Sequence, residues 1–316
     1  MVTTLPTAAL PRPIQLKLDH TLAQWRQWRC APSLRQAPVS VGMMAPGLSN
    51  ISVLVEAESD SGPRRFVVRL DGANPALNSV NRQSEWRVLR DAHRAGLAPQ
   101  PLYFNPDLGS LVCAYLPPDT DQSLRVDELA TLLRQVHRLP AIHHRLDLSE
   151  RILGYEKQLQ HRADTAASAS VDTLAAALAP WRDRLTELLT AIRTSTEPAV
   201  LCHNDLLQAN RIYSGEHLWA LDWEYSAMGS RWFELAVIVA GDELGADTGT
   251  ALLESYLDRP AMEQDLRQLQ LHSCVYRYLE LLWYLTAEHQ GLAENVWQDK
   301  LGRLQHAFEA LRAVSP

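Results

Sequence analysis

The sequence contains 316 residues, of which 46% are hydrophobic and 21% are charged. These proportions exclude an intrinsically disordered chain, and the length suits one large domain or two smaller ones with an ample apolar core. The formal net charge of -7 argues against a general binder of nucleic acid or of anionic membranes.

The charge is distributed unevenly along the chain. Residues 1–116 carry 12 basic and 8 acidic side chains, whereas residues 117–316 carry 18 basic and 29 acidic side chains. Lysine is scarce, since the chain has three lysines and 27 arginines. The acidic excess of the second part favours a cationic small molecule as a ligand there.

The cysteines and the N-terminus indicate the cellular compartment. The four cysteines are isolated from one another, so that neither a disulfide framework nor a zinc site is predicted. The first residues lack the basic segment and apolar core of a signal peptide, and no apolar run is long enough to span a bilayer. We therefore expect a cytoplasmic protein.

The first part of the chain shows the alternation that is typical of β-strands. Apolar residues alternate with polar or mixed ones in three segments, and turns of small residues separate these segments. A short helix precedes them, and a longer helix and two short strands follow. The predicted elements are a helix over 18–29, strands over 39–43, 51–57 and 65–70, a helix over 79–95, and strands over 102–104 and 110–115.

Beyond Pro117-Pro118 the pattern becomes mainly helical, with one β island. The island is predicted to contain three short strands. The predicted helices cover 126–139, 153–160, 172–193, 231–240, 250–257 and 262–290, and the strands of the island cover 199–202, 211–213 and 218–221.

A β-rich part that is joined to a helical part through two prolines predicts a two-lobed protein. We expect an N-terminal lobe over residues 1–116 and a C-terminal lobe over residues 117–316. A ligand site is expected in a cleft beneath the linker, because clefts between such lobes are common binding sites.

The densest chemical signal lies in the β island. The segment His203-Asn-Asp205-Leu-Leu-Gln-Ala-Asn210 is followed by Asp222-Trp-Glu224. Asp205 and Asn210 lie on a loop between two short strands, and Asp222 follows a strand. Together they supply a carboxylate that orients a hydroxyl group, with an amide and a second carboxylate for magnesium. Phosphoryl transfer needs these parts, because its catalysis is positioning and charge neutralisation.

This pattern resembles the aminoglycoside phosphotransferase and choline kinase superfamily of protein-kinase-like small-molecule kinases. The resemblance covers residues 41–290, and the His-Asn-Asp sequence is closest to the choline and thiamine kinase branch. It implies an α+β, two-lobed fold with an N-terminal antiparallel sheet plus helix and a mainly helical C-terminal lobe. It also implies that Asp205 is the catalytic base, that Asn210 and Asp222 hold Mg²⁺, and that ATP is the phosphoryl donor.

The segment Gly47-Leu-Ser49-Asn50 lies between the first two predicted strands, where the family has the loop that covers the phosphates. Gly47 lets backbone N–H groups approach a phosphate, and Ser49 and Asn50 can donate hydrogen bonds. A turn with one glycine is also an ordinary connection between strands. By the same resemblance, Ala114 and Leu116 belong to the hinge strand whose backbone would meet adenine.

The third predicted strand contains no lysine, and Arg69 stands where protein kinases have one. Choline kinases are similar in having an arginine there, so the resemblance implies that Arg69 binds the phosphates of ATP. A guanidinium group can donate to two phosphate oxygens at once. Glu85, on the following helix, is expected to hold Arg69 in place. The alternative is that Glu85 is a solvated residue that pairs with nearby Arg82.

The acceptor site is expected among residues after the island and on the aromatic-rich late helix. Aromatic faces and carboxylates hold quaternary ammonium and thiazolium cations through cation–π and Coulomb attraction. Aromatic residues at helical spacing are also typical of a hydrophobic core, which is the alternative interpretation. The candidates for acceptor binding, besides Asp205, are Trp223, Glu224, Tyr278, Glu280 and Trp283.

These features predict an ATP- and Mg²⁺-dependent phosphotransferase that acts on a hydroxyl of a small cationic acceptor, with choline, ethanolamine and thiamine foremost. Glu234 is similar to the residue of thiamine kinases at a place where choline kinases more often have aspartate. Aminoglycosides and amino sugars are alternative acceptors. A catalytically inactive, nucleotide-binding scaffold is a further hypothesis, against which the intact set of Asp205, Asn210 and Asp222 argues. No nucleic-acid or membrane partner is expected.

Overall fold

The structure, a computed structural model, divides into two compact units. Unit 1 contains residues 1–124 and 209–226, and unit 2 contains residues 125–208 and 227–316. The chain therefore enters unit 1 twice, which a division by position along the sequence does not anticipate. The described residues are 10–30, 33–44, 50–72, 80–120, 123–165, 169–194, 197–286 and 294–313.

Unit 1 contains a five-stranded antiparallel sheet with the strand order β1-β2-β3-β5-β4. A tight turn joins the second strand to the third, and Gly62 in this turn has a φ of 107°, a conformation that L side chains rarely adopt. The strands are β1 (Val39–Met43), β2 (Asn50–Ser59), β3 (Gly62–Asp71), β4 (Pro101–Asn105) and β5 (Ser110–Ala114).

One face of this sheet forms the hydrophobic core of unit 1. Val53 lies opposite Val68, and Val55 lies opposite Phe66, and all four side chains are fully buried. Alternation along the strands places these residues on the same face, as the sequence pattern predicts. Trp28 packs edge-on against Phe66 at 5.6 Å between ring centroids and closes one side of the core.

The N-terminal helix differs from its prediction. Helix α1 covers Arg12–Ala23, and a short 3-10 helix covers Trp25–Gln27, whereas the sequence predicts one helix over 18–29. The helix begins earlier because a proline is tolerated in the first turn, where backbone N–H groups have no partner within the helix.

Helix α2 (Arg82–Arg94) follows the third strand. The side chain of Asn81 caps it by accepting a hydrogen bond from the Ser84 N–H at 3.0 Å. Its buried face consists of residues spaced three and four apart, as an amphipathic helix requires. These residues are Glu85, Val88, Leu89 and Ala92. A carboxylate therefore lies on the buried face of this helix.

The second passage of the chain through unit 1 is a hairpin of β7 (Arg211–Ser214) and β8 (His217–Ala220), followed by a 3-10 helix over Trp223–Tyr225. The Ala220 N–H donates to the Leu97 carbonyl at 2.8 Å and fixes the end of the hairpin. Asp222, which stands between the hairpin and the 3-10 helix, has a φ of 56° in the left-handed region. Aspartate enters this region more readily than most residues, so the local sequence suits this bend.

Unit 2 is mainly helical and contains one small antiparallel pair of strands, β6 (Val200–Cys202) and β9 (Ala227–Gly229). Helix α6 is apolar on nearly every side and lies within the core of the unit. The helices are α3 (Val126–Val136), α4 (Leu148–Thr165), α5 (Ala169–Arg193), α6 (Arg231–Gly241), α7 (Ala246–Leu257), α8 (Glu263–Thr286) and α9 (Glu294–Ala313). Among the described helices, none is long and apolar enough to cross a membrane.

The C-terminal helix α9 is absent from the sequence predictions. Leu304, Phe308 and Leu311 are buried on one face of it, at spacings of four and three residues. Helix α8 ends at Thr286 in the structure, and the predicted continuation over 287–290 lies outside the described residues.

His272 on α8 is a buried histidine of the unit 2 core. Its Nδ1–H donates to the Gln268 carbonyl at 2.8 Å, and its Nε2 accepts from the Ser230 hydroxyl at 3.3 Å. Burial lowers the pKa of His272 to about 4, although the Gln268 carbonyl and the charge of Glu197 act in the opposite direction.

The low pKa of His272 predicts how the free energy of unfolding depends on pH in acid. Between pH 6.5 and about pH 4 the unfolded chain binds a proton at residue 272 that the folded chain does not bind. Stability therefore falls as the pH falls through this range, by about 3 kcal/mol at most. We predict that His272→Gln loses less stability over this range than the wild type in urea unfolding at a series of pH values. His143→Gln, an exposed control, should follow the wild type; parallel profiles for all three proteins would contradict the prediction.

Candidate active site

Arg69 lies at the centre of a buried ionic network in unit 1. Its Nη1 is 2.5 Å from Glu85 Oε1 on α2 and 2.5 Å from Asp222 Oδ1. Although burial opposes its charge, the carboxylates of Glu85 and Asp222 raise the pKa of Arg69 well above its usual value. The structure thus brings together three of the residues that the sequence singled out. The Arg69 Nε is buried and has no hydrogen-bond acceptor among the described residues.

Arg82, which the sequence analysis did not assign to the site, joins this network to further acids. Its guanidinium contacts Asp71 at 2.5 Å, Glu85 at 2.8 Å and Glu224 at 3.0 Å. Glu85 therefore pairs with both arginines, and because it is buried it is not the solvated residue of the alternative interpretation. The Asn50 Nδ2 donates to Glu224 Oε2 at 2.9 Å.

The network carries more negative than positive charge. Two guanidinium groups face four carboxylates, of which Asp71, Glu85 and Glu224 are nearly fully buried. Burial and the charge of Asp222 raise the pKa of Glu224 to about 7, although Arg69, Arg82 and Asn50 act against this shift. The excess indicates that one more positive charge is compatible with this cluster.

Asp222 of this network and nearby Asn210 have oxygen atoms of the kind that bind a magnesium ion. The Asp222 side chain is 30% exposed, which is the largest exposure of the four carboxylates in the network. The Leu221 N–H donates to the Asn210 carbonyl at 2.8 Å, so the backbone of Asn210 adjoins the residue before Asp222. Carboxylate and amide oxygens are suitable ligands for Mg²⁺, and Asn210 and Asp222 are the residues that would hold it.

The structure describes some of the predicted ATP-binding residues and not others. Gly47 and Ser49 lie outside the described residues. Asn50 begins β2 and is buried against Glu224. The Ala114 N–H donates to the Gln100 carbonyl at 2.9 Å, and Leu116 follows β5 as a half-buried residue. These nucleotide contacts stay predictions.

The loop that carries Asp205 belongs to unit 2 and is held by a buried carboxylate. Glu234 on α6 accepts from the backbone N–H of His203 at 2.6 Å and from that of Asn204 at 2.8 Å. Asn204 has a φ of 63°, which asparagine adopts more readily than most residues. The turn directs the chain from β6 into the half-buried Asp205.

Glu234 remains ionised although it has no solvent exposure. Burial opposes its charge, but hydrogen bonds and Coulomb attraction from His137 and His203 lower the pKa of Glu234 below its usual value. The His137 Nε2 is 3.4 Å from Glu234, and its Nδ1 is 2.7 Å from the Tyr256 hydroxyl. In the sequence Glu234 stands out only as a branch marker. Its position as a carboxylate within an apolar helical segment was the signal for this second role.

Two of the candidates for acceptor binding are buried and donate hydrogen bonds within the protein. Trp223 in unit 1 donates its indole N–H to the Ala220 carbonyl at 3.1 Å. Tyr278 in unit 2 is fully buried and donates its hydroxyl to Glu156 at 2.7 Å. A direct acceptor contact for these residues, and for Glu224, stays a prediction.

The other candidates lie on α8 near a cluster of acidic groups in unit 2. The Tyr276 hydroxyl is 3.5 Å from Glu280. Burial raises the pKa of Tyr276, and the negative charges of Glu280, Asp205 and Asp242 raise it further. Trp283 is half-buried on the same helix. Three carboxylates therefore act on one tyrosine, and one of them is the predicted catalytic base.

Gly241 at the end of α6 permits close packing around Tyr276. A Cβ at this position would lie 2.7 Å from the Tyr276 hydroxyl oxygen, and it would also collide with Leu207 on the Asp205 loop. Only glycine fits without displacement of these groups, because real Cβ atoms do not approach other atoms so closely.

Sequence comparison identifies the family. The phosphotransferase enzyme family, APH, matches residues 44–272, which is more than two thirds of the chain. The chain belongs to this family. It is 25% identical over 277 residues to Protein LicA of Haemophilus influenzae, and the match covers 85% of this chain and 79% of that protein. These relationships indicate a small-molecule phosphotransferase.

Solved structures confirm the fold class of this phosphotransferase. A choline/ethanolamine kinase family protein from Mesorhizobium loti has a TM-score of 0.69 at 19% identity, covering 94% of this chain and 99% of that one. The choline kinase LicA from Streptococcus pneumoniae has a TM-score of 0.61 at 22% identity, covering 82% and 90%. The predicted α+β fold of protein-kinase type, with an antiparallel N-terminal sheet and a mainly helical C-terminal part, is therefore confirmed.

The buried network of the phosphotransferase makes a prediction about Arg82. Arg82→Met would leave Asp71 and Glu224 buried without their guanidinium partner, which costs about 3–5 kcal/mol of unfolding free energy. Urea denaturation measures the loss. Arg87→Met on the exposed face of the same helix is the control, and should change stability by no more than about 0.5 kcal/mol. Equal stability of the two variants would show that Arg82 does not stabilise the network.

Proposed function

We propose that this phosphotransferase transfers the γ-phosphoryl group of ATP, with Mg²⁺, to a hydroxyl of a small cationic alcohol, with choline as the leading acceptor and ethanolamine and thiamine next. The observation that carries the proposal is the set of carboxylates around Tyr276: Glu280 lies 3.5 Å from its hydroxyl, and the charges of Asp242 and of Asp205, the predicted base, act on the same tyrosine. Such a group of negative charges attracts a cationic acceptor. The similarity to a choline kinase and to a choline/ethanolamine kinase family protein supports this acceptor class.

The nucleotide part of the proposal is supported by the network of unit 1. Arg69 donates to the phosphates of ATP, and Glu85 holds its guanidinium in position. The free Nε donor of Arg69, which has no acceptor among the described residues, is consistent with a role in binding an anion. Asn210 and Asp222 would hold magnesium, which would neutralise charge on the transferring phosphates.

Asp205 is the catalytic base in this proposal. Its carboxylate orients the acceptor hydroxyl and accepts the proton as the hydroxyl oxygen bonds to the γ-phosphorus. The bond between the γ-phosphorus and the bridging oxygen breaks, and ADP leaves with that oxygen. Glu234 fixes the backbone at the two residues before Asp205 and so sets the direction of the carboxylate.

The proposed base makes a direct prediction. Asp205→Asn keeps the size of the side chain and removes its ability to accept a proton, so kcat should fall by about 10²-fold or more. The assay measures ADP release in the presence of choline, ethanolamine, thiamine, an aminoglycoside and an amino sugar, and mass spectrometry of the product confirms phosphorylation. Full turnover by Asp205→Asn would overturn the assigned mechanism.

The same panel separates the acceptor classes. Asp183→Asn, an exposed control on α5, should retain the turnover of the wild type. Preference for a small quaternary or primary ammonium alcohol supports the proposal, whereas preference for an aminoglycoside or an amino sugar contradicts it in favour of that acceptor class. Binding of magnesium and ATP without any phosphorylated product would support the inactive scaffold instead.

A further inference from the structure

Lys300 on α9 occupies a cation site within unit 2. Its Nζ is 2.6 Å from Glu280 Oε1 and 4.4 Å from the centre of the Tyr284 ring. The side chains of Lys300 and Glu280 are only 15% and 14% exposed. The ammonium group therefore lies between a carboxylate and an aromatic face, in a largely dry environment.

A carboxylate beside an aromatic face is the arrangement that recognises an organic ammonium ion. The ring attracts the cation through its negative face, and the carboxylate contributes Coulomb attraction that partial burial strengthens. A lysine ammonium and the ammonium group of a small cationic alcohol are both tetrahedral and carry their charge around one nitrogen, whereas a guanidinium is planar and delocalised. In a chain with 27 arginines, one of only three lysines stands at this position.

The Lys300 site adjoins the acidic cluster of the proposed acceptor site. Glu280 contacts the Tyr276 hydroxyl at 3.5 Å, and the charge of Asp205 acts on the same tyrosine. Trp283 packs edge-on against Tyr284 at 5.0 Å between ring centroids. Glu280 thus belongs to the group of acids that includes the proposed base. It also forms, with Tyr284, the pair that holds Lys300.

We propose that Lys300 is a specificity-determining residue that acts as a tethered competitor for the cationic group of the acceptor. The inference rests on the proposed function, because it assigns to Glu280 and Tyr284 the recognition of that group. An acceptor cation enters the pair only when Lys300 leaves it. Occupancy by Lys300 lowers the apparent affinity of every acceptor that must enter the pair. It lowers that of cationic acceptors most, because it also cancels the charge of Glu280 that attracts them.

The direct test is ammonium binding by Lys300→Met, which removes the charge and keeps the length of the side chain. Isothermal titration calorimetry with tetramethylammonium chloride is expected to show binding about tenfold tighter than in the wild type, the effect of a pair that Lys300 occupies about nine-tenths of the time. Lys157→Met, which removes an exposed lysine on α4, is the matched control and should bind as the wild type does. Unchanged or weaker binding by Lys300→Met would overturn the inference.

Kinetics distinguish competition from a purely structural pair. We expect Lys300→Met to lower the KM for choline about tenfold with kcat unchanged, and to leave the KM for ATP unchanged. The neutral isostere 3,3-dimethylbutan-1-ol has the shape of choline without its charge, and its KM should fall less than that of choline, because it gains nothing from the unpaired charge of Glu280. An equal change for choline and its isostere would overturn the inference, because a structural effect does not depend on the charge of the acceptor.

The two proposals can fail separately. If the wild type phosphorylates no cationic acceptor, the proposed function fails, and tetramethylammonium binding still tests the Lys300 pair. If choline is phosphorylated with the same KM by the wild type and Lys300→Met, only the inference about Lys300 fails. Should Lys300→Met not fold, Lys300→Gln provides the same test, since it keeps a hydrogen-bond donor for Glu280 without the charge.

Discussion

The conformation of the Asp205 loop depends on one ionised carboxylate that has no contact with solvent. Glu234 accepts hydrogen bonds from two backbone N–H groups of the loop and lies 3.4 Å from His137, so both the loop and this imidazole stabilise its charge. The carboxylate and the loop depend on each other. Without these donors the buried charge of Glu234 would destabilise the folded chain, and without Glu234 two loop amides would lose their acceptor. The left-handed turn at Asn204 and the position of Asp205 follow from this arrangement.

Unit 1 uses buried charge in a different way. Its network contains more carboxylates than guanidinium groups, and Asp222 is the member that solvent reaches. Like charges in a dry environment destabilise the folded chain unless a further cation is bound. The cost in stability is consistent with a site that binds a divalent cation together with an anionic nucleotide, since binding to the folded state alone recovers the free energy. Arg82 limits this cost by contacting three of the acids.

Local sequence patterns predicted the helices and strands that local chemistry determines. They did not predict the contacts between residues that are distant in the sequence. The alternating valines of β2 and β3 and the apolar run of α6 identified those elements, and the spacing around Asp205 and Asp222 identified the reaction class. Helix α9 was missed, although Leu304, Phe308 and Leu311 have helical spacing. The contact of Arg82 with Glu224 joins residues 142 positions apart, and no sequence period encodes such a pairing. The same holds for the contact between Lys300 and Glu280, which required the missed helix.

Hydrogen–deuterium exchange across the Asp205 loop tests the role of Glu234 most directly. Glu234→Gln places an amide N–H₂ where one loop N–H needs an acceptor, so the amides of residues 203 and 204 should exchange faster than in the wild type. We predict that kcat falls in the same variant by about 100-fold, because the base is then misplaced. Glu309→Gln, which changes an exposed residue of α9, should leave both quantities unchanged. Wild-type exchange and wild-type kcat in Glu234→Gln would contradict the dependence of the loop on this carboxylate.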